Sequence, residues 1–354
     1  MNGSTLNAQR STSNTQLSAG MGTSAPPRTA PHHRFALQTA PRITRPASRG
    51  GRGCAEPSLA CVVRQAASLA LIALLALPAA AAREPERALY LDNGAVRLGI
   101  DLGSGGSVFH FGPSAGSTNL LNHFDRGRFV QQSYYGSPDG SLWNKKPWRW
   151  NPVQGGDWRG SPARLLSCSV STNGGQAVAL VSRSVPKHWA SGADIDEAVM
   201  EQRITLTNSL AHIRYRFVYT GTAAHPPAHQ ELPAVFVDGA YTNLVFYGGP
   251  RPWTGDTLTR AVPGWPNQGK KTTEHWAAYV NSADFGLGVF TPGTGDLTCY
   301  RFEGDRRTGP KGSACSYFAP LRTFAITPGL TFEYDVWLAA GALADIRARF
   351  AAAR

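Results

Sequence analysis

The sequence predicts an all-β domain, and three observations carry that expectation. The chain is rich in glycine (38) and tryptophan (9), and every tryptophan lies after Arg83. From Ala88 onward, short apolar runs are separated by turn residues. Two of those runs alternate apolar and polar residues with a period of two, and only one stretch near the C-terminus looks helical. Composition and spacing of this kind favour an antiparallel sandwich or barrel over a helical fold.

The elements follow in order. Ala95–Ile100 and Ser107–Phe111 are apolar runs divided by Gly103-Ser104-Gly105-Gly106. No helical pattern follows that glycine cluster, so it reads as a hairpin turn and not as a dinucleotide-binding loop. Ile213, Tyr215, Phe217 and Tyr219 alternate with His212, Arg214 and Arg216, and Phe332, Tyr334 and Val336 alternate with Glu333 and Asp335. Both are half-buried antiparallel strands. Ala339–Arg354 is the helical stretch. No internal repeat or linker divides residues 83–354, which read as one domain.

The N-terminal quarter differs. Residues 1–57 are rich in Ser, Thr, Pro, Arg and Gly and lack the apolar surface that offsets ordering entropy. Residues 58–82 read as a secretory signal peptide: Arg64, an apolar run from Ala66 to Leu77, Pro78, then four alanines. The run of about 12 residues is shorter than the ~20 that span a bilayer, so no stable membrane insertion is expected after cleavage. A leader opens a chain, so translation is expected to start near Val62 or Val63, with 1–57 an extension ahead of the true start. The mature protein is expected to be secreted or periplasmic. Export would discard Cys54 and Cys61, leaving Cys168, Cys299 and Cys315. Cys299 and Cys315 flank a polar, glycine-containing segment and are expected to close a hairpin as a disulfide. No Cys/His spacing resembles a zinc site, and neither metal nor cofactor is expected.

Formal net charge is +12, but 8 of the 35 basic and only one of the 23 acidic residues precede Arg83. The 27 basic and 22 acidic residues that remain are spread along the chain, which makes no phosphate-binding stripe, so no nucleic-acid partner is expected.

Three segments resemble a known family: "LDNGAVRLGIDLGSGGSV" from Leu91, "EQRITLTNSLAHIRYRFVYTG" from Glu201 and "FEYDVWLAAG" from Phe332. Their strand texture is similar to that of the galactose mutarotase-like superfamily. The resemblance implies a large antiparallel two-sheet supersandwich over most of residues 88–340. It also implies a poly- or oligosaccharide partner, because the superfamily includes aldose epimerases and domains of polysaccharide lyases and glycoside hydrolases.

Four segments are dense in chemistry. Asn122–Tyr135 packs Asp125, Arg128, Gln131, Gln132, Tyr134 and Tyr135 closely, which suits a surface that binds hydroxyls or a carboxylate; the alternative is a solvated loop with an Asp125–Arg128 ion pair. Trp143–Trp158 holds four indoles, among them Trp148 and Trp150, with Asn151, Gln154 and Asp157 between them. Indoles stack on the C–H faces of sugar rings; the alternative is a plug packed on the sandwich. His229 and Glu231 stand before the strand-like Ala234–Val237, and Glu274, His275 and Trp276 open another apolar run.

The first function expected is glycoside hydrolysis by a carboxylate pair, Glu231 and Glu274, with Asp125 and Asp157 in reserve. The second is polysaccharide lyase chemistry, with His229, His275, Tyr134 or Tyr135 as base and Arg128 and Gln132 on a uronate carboxylate. Aldose epimerisation and non-catalytic sugar binding complete the set.

Overall fold

The computed structural model describes residues 85–354; the leader expected over 58–82 and the extension before it lie outside the described residues. In chain order come β1 (Ala88–Asp92), β2 (Val96–Asp101), β3 (Ser107–Pro113), β4 (Val130–Ser133), β5 (Pro138–Trp143), β6 (Lys146–Arg149) and β7 (Pro152–Val153). Next are β8 (Arg164–Asn173), β9 (Gln176–Val185), β10 (Lys187–His188), β11 (Ala198–Thr207), β12 (Leu210–Tyr219), β13 (His225–Asp238) and β14 (Asn243–Phe246). The rest are β15 (Thr259–Ala261), β16 (Gln268–Lys271), β17 (Trp276–Val280), β18 (Phe285–Phe290), β19 (Asp296–Phe302), β20 (Cys315–Ile326) and β21 (Thr331–Ala342), then helix α1 (Leu343–Ala353).

A strand presents alternate residues to opposite faces, and two antiparallel sheets use that period to share one core. The first runs β1-β2-β3-β4-β13-β20-β19-β16, with β7 and β10 attached to β4. The second runs β15-β14-β17-β18-β21-β12-β11-β9-β8. Leu98, Val130, Tyr134, Val235 and Phe318 of the first sheet pack with Ile213, Tyr215, Phe217, Val336 and Leu338 of the second. The strands expected around residues 213–219 and 332–336 are present as β12 and β21, paired residue for residue.

Outside the sandwich each sheet carries a smaller cluster. On the second sheet, α1 sets Leu343, Ile346 and Phe350 against Trp276, Phe290 and Ala339. Gly288 makes room for the helix, because a Cβ there would lie 2.3 Å from Ile346. The helix begins four residues later than expected. Ala339 and Ala340 pair with Gly288 and Leu287 instead, so ladder pairing overrides alanine's helix propensity. No helix among the described residues is long and apolar enough to cross a membrane.

The glycine cluster is the β2–β3 turn. The Asp101 carboxylate accepts from the Gly103 amide at 2.8 Å and the Ser104 hydroxyl at 2.5 Å. Gly105, at φ +61°, lies so close to the Gln154 carbonyl that a Cβ would come within 2.1 Å of it.

The expected disulfide is absent: Cys168, Cys299 and Cys315 are all free thiols. Cys299 lies opposite Phe318, and Cys315 opposite Phe302. The two cysteines are thus three rungs apart on neighbouring strands, about 10 Å, whereas a bridge needs Cα atoms within ~7 Å. Both thiols are pushed up to about 11 by burial, which keeps them unreactive. Adding a reductant is therefore expected to leave the thermal midpoint of residues 85–354 unchanged, as read by circular dichroism; a fall of several degrees would show a bridge.

Candidate functional site

The third cluster lies on the outer face of the first sheet, and a β-bulge builds it. Against β20, Val235 pairs with Phe318 and Glu231 with Leu321, so four residues of β13 span three of β20. The extra residue falls around Pro233, whose missing N–H takes nothing from the ladder at a bulge. Without it, Glu231 would share a face with core-buried Val235, four residues away. With it, Glu231 joins Ala234 and Phe236 on the outer face.

An aromatic floor covers this face. Tyr317 packs 4.8 Å from Phe236 and stacks on Tyr300 at 4.5 Å and 27°, in one cluster with Ala234 and Ala319. At one end Tyr135 Oη donates to Glu231 Oε1 at 3.0 Å, and Tyr317 Oη donates a second hydrogen bond to the same oxygen. Glu231 is only 8% exposed. Burial pushes its carboxyl up, against the hydrogen bonds of Tyr317, Ser133 and Tyr135, which act the other way. Burial, followed by the charge of Glu231, holds the Tyr135 and Tyr317 phenols well above their usual range. Both phenols therefore stay protonated and act as donors.

Three structures rim the floor. The hairpin of β5 and β6 stands beside Tyr135: Trp148 meets that ring edge-on at 6.5 Å, Trp143 lies 5.1 Å from Trp148, and Trp189 lies 6.5 Å from Trp143. Asn144 and Lys145 turn the hairpin at φ 49° and 63°. On the other side Trp265, 57% exposed, packs edge-on against Tyr300 and Phe302. At the far end Arg128 lies over Phe124 and Phe302 and pairs with Asp125 at 3.1 Å. Burial raises the Asp125 carboxyl against the pull of Arg128. His229, exposed on the same side of β13 as Glu231, contacts the Thr323 hydroxyl through Nδ1 at 2.8 Å.

The structure therefore brings Glu231, Tyr135, His229 and Trp148 together, with Asp125 and Arg128 at the opposite end. Other expected site residues are scaffold. Tyr134 is fully buried in the core, 4.2 Å from Phe217, because its neighbour Tyr135 took the outer face. Gln131 donates to the Gly127 carbonyl and accepts from the Gly155 amide. Gln132 donates to the Glu201 carbonyl and Gln154 to Gln202. Asn151 donates to the Tyr134 carbonyl at 2.6 Å. Asp157 accepts from the Ser161 and Arg159 amides within its own turn. Trp150 is 7% exposed, stacks on His225 at 4.2 Å and donates to Glu197. These polar groups are buried and must be satisfied.

The Glu231–Glu274 pair is not formed. Glu274 precedes β17 in the second sheet and is fully buried beneath α1. It takes Arg347 in two contacts, at 2.6 and 3.0 Å, together with Trp276 Nε1 at 2.7 Å and the Trp253 amide at 2.6 Å. Burial opposes its charge, but those donors prevail and hold the carboxyl below its usual value. Trp276, 1% exposed, is core. His275 belongs to the turn before β17, at φ 59°, where Nδ1 accepts from the Gly293 amide. A cleft of about 590 Å³ beside α1 is lined by Trp253, Leu258 and Leu343, and its charged Arg260 and Asp284 pair with each other. It lacks the convergent polar groups of the tyrosine floor. Among the described residues no group of His, Cys, Asp and Glu could hold a metal ion.

Tyr317, Tyr300, Phe236 and Trp265 are not singled out by the sequence. Tyr317, Tyr300 and Phe236 lie in strand segments with apolar neighbours that read equally well as core, and Trp265 stands alone in a loop.

No family model matches the chain, and no curated protein matches it in sequence. Solved structures are similar in fold. A candidate aldose 1-epimerase from Escherichia coli K12 is 10% identical with a TM-score of 0.45, over 71% of this chain and 98% of that one. A galactose mutarotase-like protein from Lactobacillus casei ATCC 334 is 10% identical with a TM-score of 0.43, over 71% and 99%. The GH36 alpha-galactosidase AgaA from Geobacillus stearothermophilus is 13% identical with a TM-score of 0.40, over 72% of this chain and 41% of that one. At these identities and TM-scores the likeness is a partial one of fold.

Two stability outcomes separate scaffold from surface. Trp150→Ala is expected to cost about 3–5 kcal/mol and Trp148→Ala far less, measured by urea denaturation. Arg347→Met leaves Glu274 buried without its cation and is expected to cost about 3–5 kcal/mol near neutral pH. The folded pKa of Glu274 lies below its unfolded value. Its contribution is therefore present above that unfolded value and is lost as pH falls through the folded one. The gap between native and Arg347→Met should narrow in acid, and a gap that widens there would contradict the assignment.

Proposed function

We propose that this protein is a carbohydrate-active enzyme, a glycoside hydrolase in which Glu231 is the proton donor. The observation that carries the reading is the double phenol contact to Glu231 Oε1. With Oε1 fixed by two donors, Oε2 is the oxygen that carries and releases a proton. Burial raises the carboxyl's pKa above the ordinary carboxylate value, which is the direction a general acid requires. Above the buried Tyr317, the half-buried Tyr300 and Phe236 offer ring surface to the apolar side of a sugar, and Trp148, Trp143 and Trp265 offer more at the rim.

A lyase reading has less support. It needs a phenolate or imidazole base and a free cation for a uronate, whereas the phenols here are held protonated and Arg128 is engaged with Asp125. Export through the leader at 58–82 belongs to the same proposal; the N-terminus of secreted material is expected near Arg83.

A panel of neutral and uronic polysaccharides tests the reaction. New reducing ends without new ultraviolet absorbance are expected; absorbance from unsaturated uronates would mean lyase. The active form has Glu231 protonated, so the rate should fall as pH rises through its raised pKa. Glu231→Gln should lower turnover by about 10²–10⁴-fold while substrate binding persists, and Trp148→Ala should weaken binding. A Glu231→Gln variant with native turnover would end the proposal.

A further inference from the structure

Hydrolysis also needs a group to activate water, and one row of the first sheet supplies a candidate. Glu231 pairs with Ser133 on β4 and with Leu321 on β20; Leu321 pairs with Asp296 on β19, and Asp296 with Lys271 on β16. Residues directly opposed in an antiparallel ladder share a face, so Asp296 stands on the same outer face as Glu231, two strands away. Strand spacings of about 4.8 Å put their Cα atoms roughly 10 Å apart. Retaining glycosidases hold their carboxyls only ~5–5.5 Å apart, and inverting ones ~6.5–9.5 Å, to leave room for water. Those separations are between carboxyls, and here Glu231 is held by Tyr135 on the β4 side and Asp296 by Lys271 on β16, so the two side chains do not turn towards each other and the narrow class is the poorer fit.

The surroundings of the two carboxyls differ as an acid and a base require. Glu231 is buried among phenols, while the Asp296 side chain is 53% exposed and pairs with Lys271 at 2.5 Å. The adjacent row is made of small residues, with Ala319, Thr298 and Gly269 opposed in turn. A Cβ on Gly269 would meet nothing within 4 Å, so the space beside Asp296 is open.

We infer that Asp296 is the second carboxylate of the site and that hydrolysis proceeds by a single displacement with inversion. The inference rests on Glu231 being the proton donor. Asp296 removes a proton from water as the water oxygen bonds to the anomeric carbon. The glycosidic C–O bond breaks on the opposite side, and the leaving oxygen takes the proton of Glu231. One water is consumed, and the two carboxyls exchange protons with solvent to reset.

The test uses 2,4-dinitrophenyl and methyl glycosides of the sugars released from the polysaccharide panel. Asp296→Ala should lower kcat by about 10²–10⁴-fold on both leaving groups, with KM little changed. Sodium azide should restore turnover and yield a glycosyl azide of inverted configuration. Glu231→Gln should lose far more on the methyl glycoside than on the dinitrophenyl one, whose leaving group needs no proton. Lys271→Met, which removes only the ion pair, should stay within a few-fold of native. Proton NMR of the native reaction should show the inverted anomer first. If Asp296→Ala stays near native while Glu231→Gln fails, the inference falls and the reading of Glu231 stands. If Glu231→Gln is native-like on methyl glycosides, that reading falls as well. A retained anomer, or an Asp296→Ala loss that Lys271→Met reproduces and azide does not rescue, overturns the inference alone.

Discussion

The one-residue bulge in β13 is the constraint on which the site depends. A strand has a fixed period of two, so every residue beyond an irregularity changes face relative to those before it. Val235 and Val237 must face the shared core for the two sheets to pack. Under strict alternation Glu231 would then be driven into that core as well. The offset of four residues against three satisfies both demands, because apolar residues stay inside while the carboxyl comes out among the phenols. The same offset carries over to the β4 side, where Glu231 meets Ser133 and Ala234 meets Gln131, so Ser133 stands beside the carboxyl.

Much of the fold was legible because alternation is a local property. Tyr215 and Phe217 in β12, and Tyr334 and Val336 in β21, declare their inward face within a few residues. The bulge was not legible. It depends on the count along β20, which no window around Glu231 contains, and His229 and Glu231 read as standing before a strand that in fact already runs from His225. The Trp segment divided for a related reason. Trp143 and Trp148 lie on a hairpin with its own two-stranded sheet, while Trp150 follows it and turns back to stack on His225. Four indoles in one short stretch gave no hint of where that boundary falls.

The dense segment around Asn122–Tyr135 shows what composition cannot decide. Gln131 and Gln132 are chemically suited to sugar hydroxyls, yet both spend their amides on backbone carbonyls and neighbouring loops. A buried amide left unpaired costs about 1–3 kcal/mol. The loops at Gly127 and Gly155 are buried, and their peptide groups need partners, so they draw in Gln131 as a fastener. Tyr135, one residue beyond Tyr134, escapes that role because its phenol reaches the outer face and finds a carboxylate there.

Glu231 and Glu274 are both buried, both beside aromatic residues and both at the start of apolar strand segments, so the sequence treats them alike. Their partners do not. Glu274 faces a guanidinium that holds two contacts, and its charge is stabilised so well that the proton is hard to add; such a carboxylate fastens α1 to the second sheet and has no proton to give. Glu231 faces phenols, which donate hydrogen bonds without bringing a positive charge, so desolvation prevails and its pKa is raised. Desolvation acts on both, and the presence or absence of a cation decides its sign. The arginine that makes the distinction lies 73 residues downstream of Glu274, on the last helix of the chain. Only the folded chain brings it to one glutamate and not to the other.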